Sequence, residues 1–187
     1  MMSLGREDFL RSLEVLYKEH YNLLYNYGLK MVNDSDLVQD FIQDIFYKLC
    51  HRQSLEDIAN ARVYLLRALR NAVYNYCTLL KESVNIDDME FLVPENDAAF
   101  DRFFGNDDDE CRYRSVLQSI KQLPNQQKHV LYLYYIKGLS HKEIGEILGI
   151  NPQSSMNTLS KTLNRLRKEM AEKQLTFLLI SYFLGAY

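Results

Sequence analysis

Apolar residues return every three to four positions through most of this chain, the period of helices with one buried face. Phe9, Leu13, Leu16, Tyr17, Leu23, Leu24 and Tyr27 keep that spacing and predict a long helix over 6–32. Asn33-Asp34-Ser35 follows as a turn and cap signal. A second helix is expected over 36–50. Leu37, Phe41, Ile45, Phe46 and Leu49 form its apolar face, and Gln39, Asp40, Gln43, Asp44 and Lys48 its polar one. Residues 51–60 read as a polar loop or a short frayed helix. A third long helix is expected over 61–81, with Val63, Leu66, Leu69, Val73 and Tyr76 inward. No strand-like alternation interrupts this half, so the predicted class is all-α.

The helical period stops at 82–110, which holds Pro94, Gly105 and the run Asp107-Asp108-Asp109-Glu110. A stretch of this length without helical pattern is expected to join two domains. Phe91, Leu92, Phe100, Phe103 and Phe104 are the residues in it able to anchor on a core. Helical patterns resume at 111–122 and 124–136. Leu139 to Met170 then reads as helix, tight turn, helix. Ser140 with Glu143 makes a capping-box pattern, Ile144, Ile147 and Leu148 a short apolar stripe, and Gly149 a left-handed stop. Asn151 caps the next helix with Pro152 at its first position, and Leu159, Leu163 and Leu166 carry its apolar face. Gly145 is small where the second helix must cross. Such a motif can set its second helix in a DNA major groove. The predicted organisation is two small helical domains, 1–82 and 111–172, an acidic linker 83–110, and a hydrophobic C-terminal tail helix in 173–187.

Composition changes this picture in two places. Three cysteines, Cys50, Cys77 and Cys111, are too few and too scattered for a disulfide framework or a zinc site, which favours a reducing, cytoplasmic setting. A net charge of −3 hides a strong partition. Residues 82–111 hold 11 acidic residues and one basic residue, whereas 112–187 hold 11 basic and four acidic. A basic end beside an acidic connector is the asymmetry expected of a DNA-binding module. No phosphate loop, nucleophile–base arrangement or metal cluster is visible, so no enzymatic activity, cofactor or metal is expected. Asp40 and Asp44 lie one helical turn apart on a polar face and read as a docking surface rather than an acid–base pair.

The stretch Asp40-Phe41-Ile42-Gln43-Asp44-Ile45-Phe46, with Leu49, resembles the second helix of the extracytoplasmic-function sigma factors position by position. Tyr64-Leu65 and Asn71 fit that family's next helix. Leu123-Pro124, Gly138-Leu139-Ser140, Glu143-Ile144 and Leu148-Gly149-Ile150 fit its promoter-reading domain. The resemblance covers about 9–81 and 112–170. It implies a transcription initiation factor without catalysis of its own, whose partners are RNA polymerase core and promoter DNA, with an anti-sigma factor as a further candidate partner. Asp40, Gln43 and Asp44 would contact the clamp of the polymerase largest subunit. Loop 51–60 and the next helix would face the melted minus-ten strand. There Arg62, Arg67 and Arg70 would meet phosphates, Asn71 a base or sugar, and Tyr64 and Tyr74 would be candidates for stacking. Asn151, Gln153, Ser154, Asn157 and Lys161 would line the minus-thirty-five groove. Arg165, Arg167 and Lys168 would continue that basic surface, and His141 and Lys142 would hold the adjacent DNA backbone.

Some residues depart from the family pattern. Ser155, followed by Met156, stands where a β-branched apolar residue usually packs the two helices, which predicts a rotated or less tightly packed recognition helix. Cys50 replaces a tryptophan, and 74–80 lacks the usual basic residues. The tail Leu175 to Tyr187 lies outside the pattern. It is too short to span a bilayer and lacks a basic flank beyond Lys173, so no stable membrane insertion is expected. It reads as a helix packed on the chain's own core, with a partner surface as the other reading. The linker reads equally as a nucleic-acid mimic or a solvated tether. Two other function classes stand beside the leading one. One is a helix-turn-helix regulator with a helical sensing or dimerisation domain, and the other is an interaction protein using the tail.

Overall fold

The computed structural model describes residues 5–52, 54–80, 91 and 118–167, and every described element is helical. The chain divides into two units, Met1–Leu92 and Val93–Tyr187. In the first, α1 (Arg6–Val32), α2 (Ser35–Cys50) and α3 (Ala61–Leu80) each pack on the other two. In the second, α4 (Asn125–Tyr135), α5 (His141–Leu148) and α6 (Pro152–Arg167) do the same, preceded by a helical turn at 118–121. The acidic linker apart from Phe91, and the C-terminal tail, lie outside the described residues, as do Arg167's neighbour Lys168 and the start of the helix expected at 111. No helix among the described residues is long and apolar enough to cross a membrane.

The break between α1 and α2 follows from three adjacent side chains. Asn33 ends α1 in the left-handed region at φ 49°, a conformation asparagine tolerates better than most residues. The Asp34 carboxylate then accepts from the Asp36 and Leu37 amides at 3.1 and 3.0 Å, satisfying donors that the new helix leaves open. The turn folds α2 back along α1 at close range. A methyl group on Gly28 would lie 2.6 Å from Val38 Cγ1, so the crossing requires glycine there. Val38 and Ile42, outside the expected apolar face of α2, are fully buried, and Leu37 is only half-buried. The expected face was therefore turned slightly from the real one, and the close approach at Gly28 is the reason.

Leu24, Leu65, Leu66 and Leu69 complete this core. Each buried aliphatic side chain contributes about 1.5–3 kcal/mol of transfer free energy. Tyr17 meets Phe46 edge-on at 5.0 Å, and Phe41 meets Tyr76 at 5.6 Å. Phe91 is buried in the same unit, its ring centroid 6.5 Å from that of Tyr27. That is one of the anchoring contacts foreseen for the linker. The second core gathers Val130, Leu131, Leu133, Leu139, Ile144, Ile147 and Leu166, all at or below 2% exposure.

Candidate functional site

On α2, one stripe is buried and the opposite one is presented. Phe41, Ile42, Ile45, Phe46 and Leu49 face the core, while Asp40, Gln43, Asp44 and Tyr47 are exposed. Neither Asp40 nor Asp44 forms an ion pair among the described residues. Two carboxylates and an amide one turn apart can accept from guanidinium groups of a partner helix. Tyr47 continues the stripe at 67% exposure, its ring 4.5 Å from that of His51. His51 Nδ1–H donates to the Tyr47 carbonyl at 2.8 Å, closing the end of the helix. Tyr47 was not singled out by the sequence, because an aromatic residue at a helix end ordinarily reads as core.

On α3, Tyr64, Arg67, Asn71 and Asn75 fall on one exposed stripe at spacings of three and four. Arg62 is half-buried beside it. Arg70 does not belong with them. It is 6% exposed and hydrogen-bonded to Asn71 Oδ1 at 3.4 Å. Burial pushes its guanidinium down from its ordinary pKa, with nearby Arg67 acting the same way and the Tyr27 and Tyr74 hydroxyls opposing. The phosphate contact expected of Arg70 does not fit this position, since its head is turned into the unit. Burial likewise pushes the Tyr27 hydroxyl well up from its ordinary value, so it stays neutral beside that cation. Tyr74 is half-buried and less open than Tyr64. The loop adds a residue that the sequence reading missed. Arg52 pairs with Asp57, lies 5.9 Å over the Tyr64 ring and donates to its hydroxyl at 3.4 Å. The loop is thus tied to the exposed stripe of α3, and Asn60 caps the helix by accepting from the Val63 amide at 3.2 Å.

In the second unit the predicted helix-turn-helix is formed. Ser140 accepts from the Glu143 amide at 3.3 Å and its own amide donates to Glu143 Oε2 at 2.8 Å, a complete capping box. Gly149 ends α5 at φ 70°, which glycine adopts without the Cβ penalty. Asn151 accepts from the Ser154 amide at 2.7 Å and starts α6. The buried stripe of α6 is Ser155, Leu159, Thr162 and Leu166. Asn151, Gln153, Asn157, Lys161 and Arg165 are exposed, as is Lys142 on α5, and Ser154 is half-buried. Gln153 Nε2 donates to Asn157 Oδ1 at 3.1 Å.

Ser155 is fully buried, and its Oγ shares a hydrogen bond with His141 Nδ1 at 3.0 Å. The His141 ring in turn stacks on Tyr134, centroids 5.0 Å apart at 21°. The looser packing expected from Ser155 is replaced by a polar clasp linking α4, α5 and α6. His141 is half-buried and drawn toward that clasp. Removing His141 leaves the buried Ser155 Oγ unsatisfied, and removing the Ser155 hydroxyl leaves the half-buried His141 Nδ1 without this partner. Ser155→Ala is therefore expected to lower stability by about 1–3 kcal/mol. His141→Ala should lose a similar amount, and the double variant less than the sum. A double-mutant cycle by denaturant unfolding checks this, and strict additivity would show that the bond carries no energy.

Comparison with known proteins assigns both units. Residues 16–81 match sigma-70 region 2, and residues 113–166 match sigma-70 region 4. RNA polymerase sigma factor SigZ of Bacillus subtilis (strain 168) is 27% identical over 158 residues, covering 84% of this chain and 86% of that protein. ECF RNA polymerase sigma factor SigM of the same organism is 25% identical over 157 residues, 83% and 93% of the two chains. With α2 and α3 inside the first matched region, and the helix-turn-helix inside the second, the chain belongs to the extracytoplasmic-function branch of the sigma-70 family and directs RNA polymerase core to promoter DNA.

Proposed function

We propose that α2 is the contact to the polymerase clamp, that α3 with loop 51–60 holds the melted minus-ten strand, and that α6 reads the minus-thirty-five element. The observation that carries this reading is the exposed stripe Asp40, Gln43, Asp44 on a helix anchored by its other side, whose carboxylates form no ion pair among the described residues. Carboxylates presented this way form short, strong bonds to arginines, and bidentate geometry fixes register as well as strength. On α3, Tyr64 offers a ring face for an unpaired base, and Arg67, Asn71 and Arg52 supply charge and hydrogen bonds along the strand. On the second unit, Lys142, Lys161 and Arg165 meet phosphates, while the N-terminal part of α6 meets base edges.

The factor makes no bond of its own. It supplies binding energy and placement, within the cytoplasm, to an enzyme that does the chemistry. Its working parts are 1–82 and 111–172, with 83–110 as connector. A photo-crosslinking residue placed at Gln43 tests the assignment. With core polymerase, the crosslink is expected on the largest subunit. A crosslink confined to another subunit, with binding intact, would show that α2 docks elsewhere.

A further inference from the structure

We infer that the amide pair Gln153–Asn157 makes α6 a reader of an A·T base pair, with adenine facing the amides. This rests on α6 being the upstream DNA helix. At 100° per residue, the stripe opposite the buried Ser155, Leu159, Thr162 and Leu166 is centred on Gln153, Asn157, Ser160 and Asn164, all exposed. It is a stripe of amides with a hydroxyl and Lys161 at its edges. From Pro152 to Ser160 no residue is charged, and Lys161 is the first cation of the helix. The N-terminal residues of a recognition helix are the ones that reach base edges. The usual reader of guanine, a bidentate arginine or lysine, is therefore missing from the N-terminal part of α6, Pro152 to Ser160.

What stands there instead has a defined pattern. Gln153 Nε2 donates to Asn157 Oδ1 at 3.1 Å, so the two amides act as one plate. The bond leaves the Gln153 carbonyl as an acceptor, and the second N–H of Gln153 and the Asn157 amide nitrogen as donors. Turning both amides over reverses the bond and still leaves one free carbonyl beside N–H donors. Adenine shows the complementary pair in the major groove, the N7 acceptor and the N6 donor. Guanine shows two acceptors, N7 and O6, and gives the protein's free carbonyl no donor to pair with. Cytosine shows a donor alone. Asn151, just before the helix, has its carbonyl engaged by the Ser154 amide at 2.7 Å and acts as a cap. Met156 lies on the flank at 47% exposure. The C5 methyl of thymine is the apolar group that the major groove offers it.

The test uses the full chain with core polymerase on a template library randomised in the upstream promoter region, with sequencing of the templates transcribed. At one upstream position adenine is expected over guanine by about tenfold or more. Asn157→Ala should cut that preference to about twofold, and Gln153→Arg should move it to guanine. Both side chains are exposed, so neither change disturbs the core. Guanine at every upstream position that responds to these variants would overturn the inference, as would an adenine preference untouched by both. Lys161→Ala with Arg165→Ala serves as the parallel arm. If that variant weakens transcription evenly across the library while the amide variants change nothing, α6 still reads upstream DNA and only the adenine assignment falls. If upstream selectivity ignores all of these changes, the reading of α6 falls with it.

Discussion

A chain carrying Asp40→Arg together with Asp44→Arg is expected to lose binding to core polymerase by about 100-fold or more. The reasoning is electrostatic. Two carboxylates on an exposed stripe would each contribute through a hydrogen-bonded charge pair, and truncating one partner of such a buried pair costs about 2–5 kcal/mol. Reversal goes further, because it sets like charges against the partner's cations. Folding should hardly change. Both residues are exposed, neither has an internal ion pair among the described residues, and arginine is a better helix former than aspartate. Circular dichroism and the unfolding midpoint should therefore match the parent while the gel-shifted complex with core enzyme disappears. Wild-type affinity for polymerase in that double variant would remove α2 from the interface. Raising salt should weaken the parent complex, since part of its attraction is screened.

Gly145→Val is expected to destabilise the second unit by about 3 kcal/mol. The glycine sits in α5 where the chain turns into α6, and a methyl group there would lie 2.6 Å from the Ile150 carbonyl oxygen and 3.4 Å from the Pro152 nitrogen. These are backbone atoms, so no rotamer change relieves the clash. The Ile150 amide also donates to the Gly145 carbonyl at 3.1 Å, so separating the two helices would break that bond as well. Glycine to alanine in a helix ordinarily gains about 1 kcal/mol, which the overlap outweighs. Gly145→Ala should thus be milder but still unfavourable. Hydrogen exchange reads the outcome by segment. Amides of α5 and α6 should lose protection while those of α1–α3 keep theirs. Promoter-directed transcription should fall with the second unit even though core polymerase is still bound. Unchanged protection in α5 and α6 would show that the turn can open without penalty.

Both predictions draw on features of different legibility. The helices were readable because one-sided apolar spacing and local caps agree, as at Asp34, Ser140 and Asn151, each of which works through its own neighbours. The acidic stripe of α2 was readable for the same reason, since the apolar face of a helix defines its polar one. Tertiary choices were not. Arg70 is one residue from exposed Asn71, and only the packing of α3 on α1 decides which of them faces out. The clasp between His141 and Ser155 joins residues 14 apart whose types gave no sign of meeting. Arg52 over Tyr64 depends on the path of a loop, which hydrophobic period does not specify. The amide pair of α6 was visible as a spacing of four, and its bond turned two candidate contacts into a single pattern of donor and acceptor.

The burial of Phe91 has a consequence for reach. A chain of n residues spans at most about 3.3–3.6 Å per residue. With residue 91 held on the first unit, the path to the second starts there and not at Leu80, where α3 ends. That takes roughly 38 Å off the greatest separation the connector permits, about the rise of 11 base pairs of duplex. On the proposed reading, in which each unit holds one promoter element, that single aromatic ring shortens the widest spacing of elements one molecule can bridge. Phe91→Ala should lengthen that leash and let the factor use promoters with wider spacing.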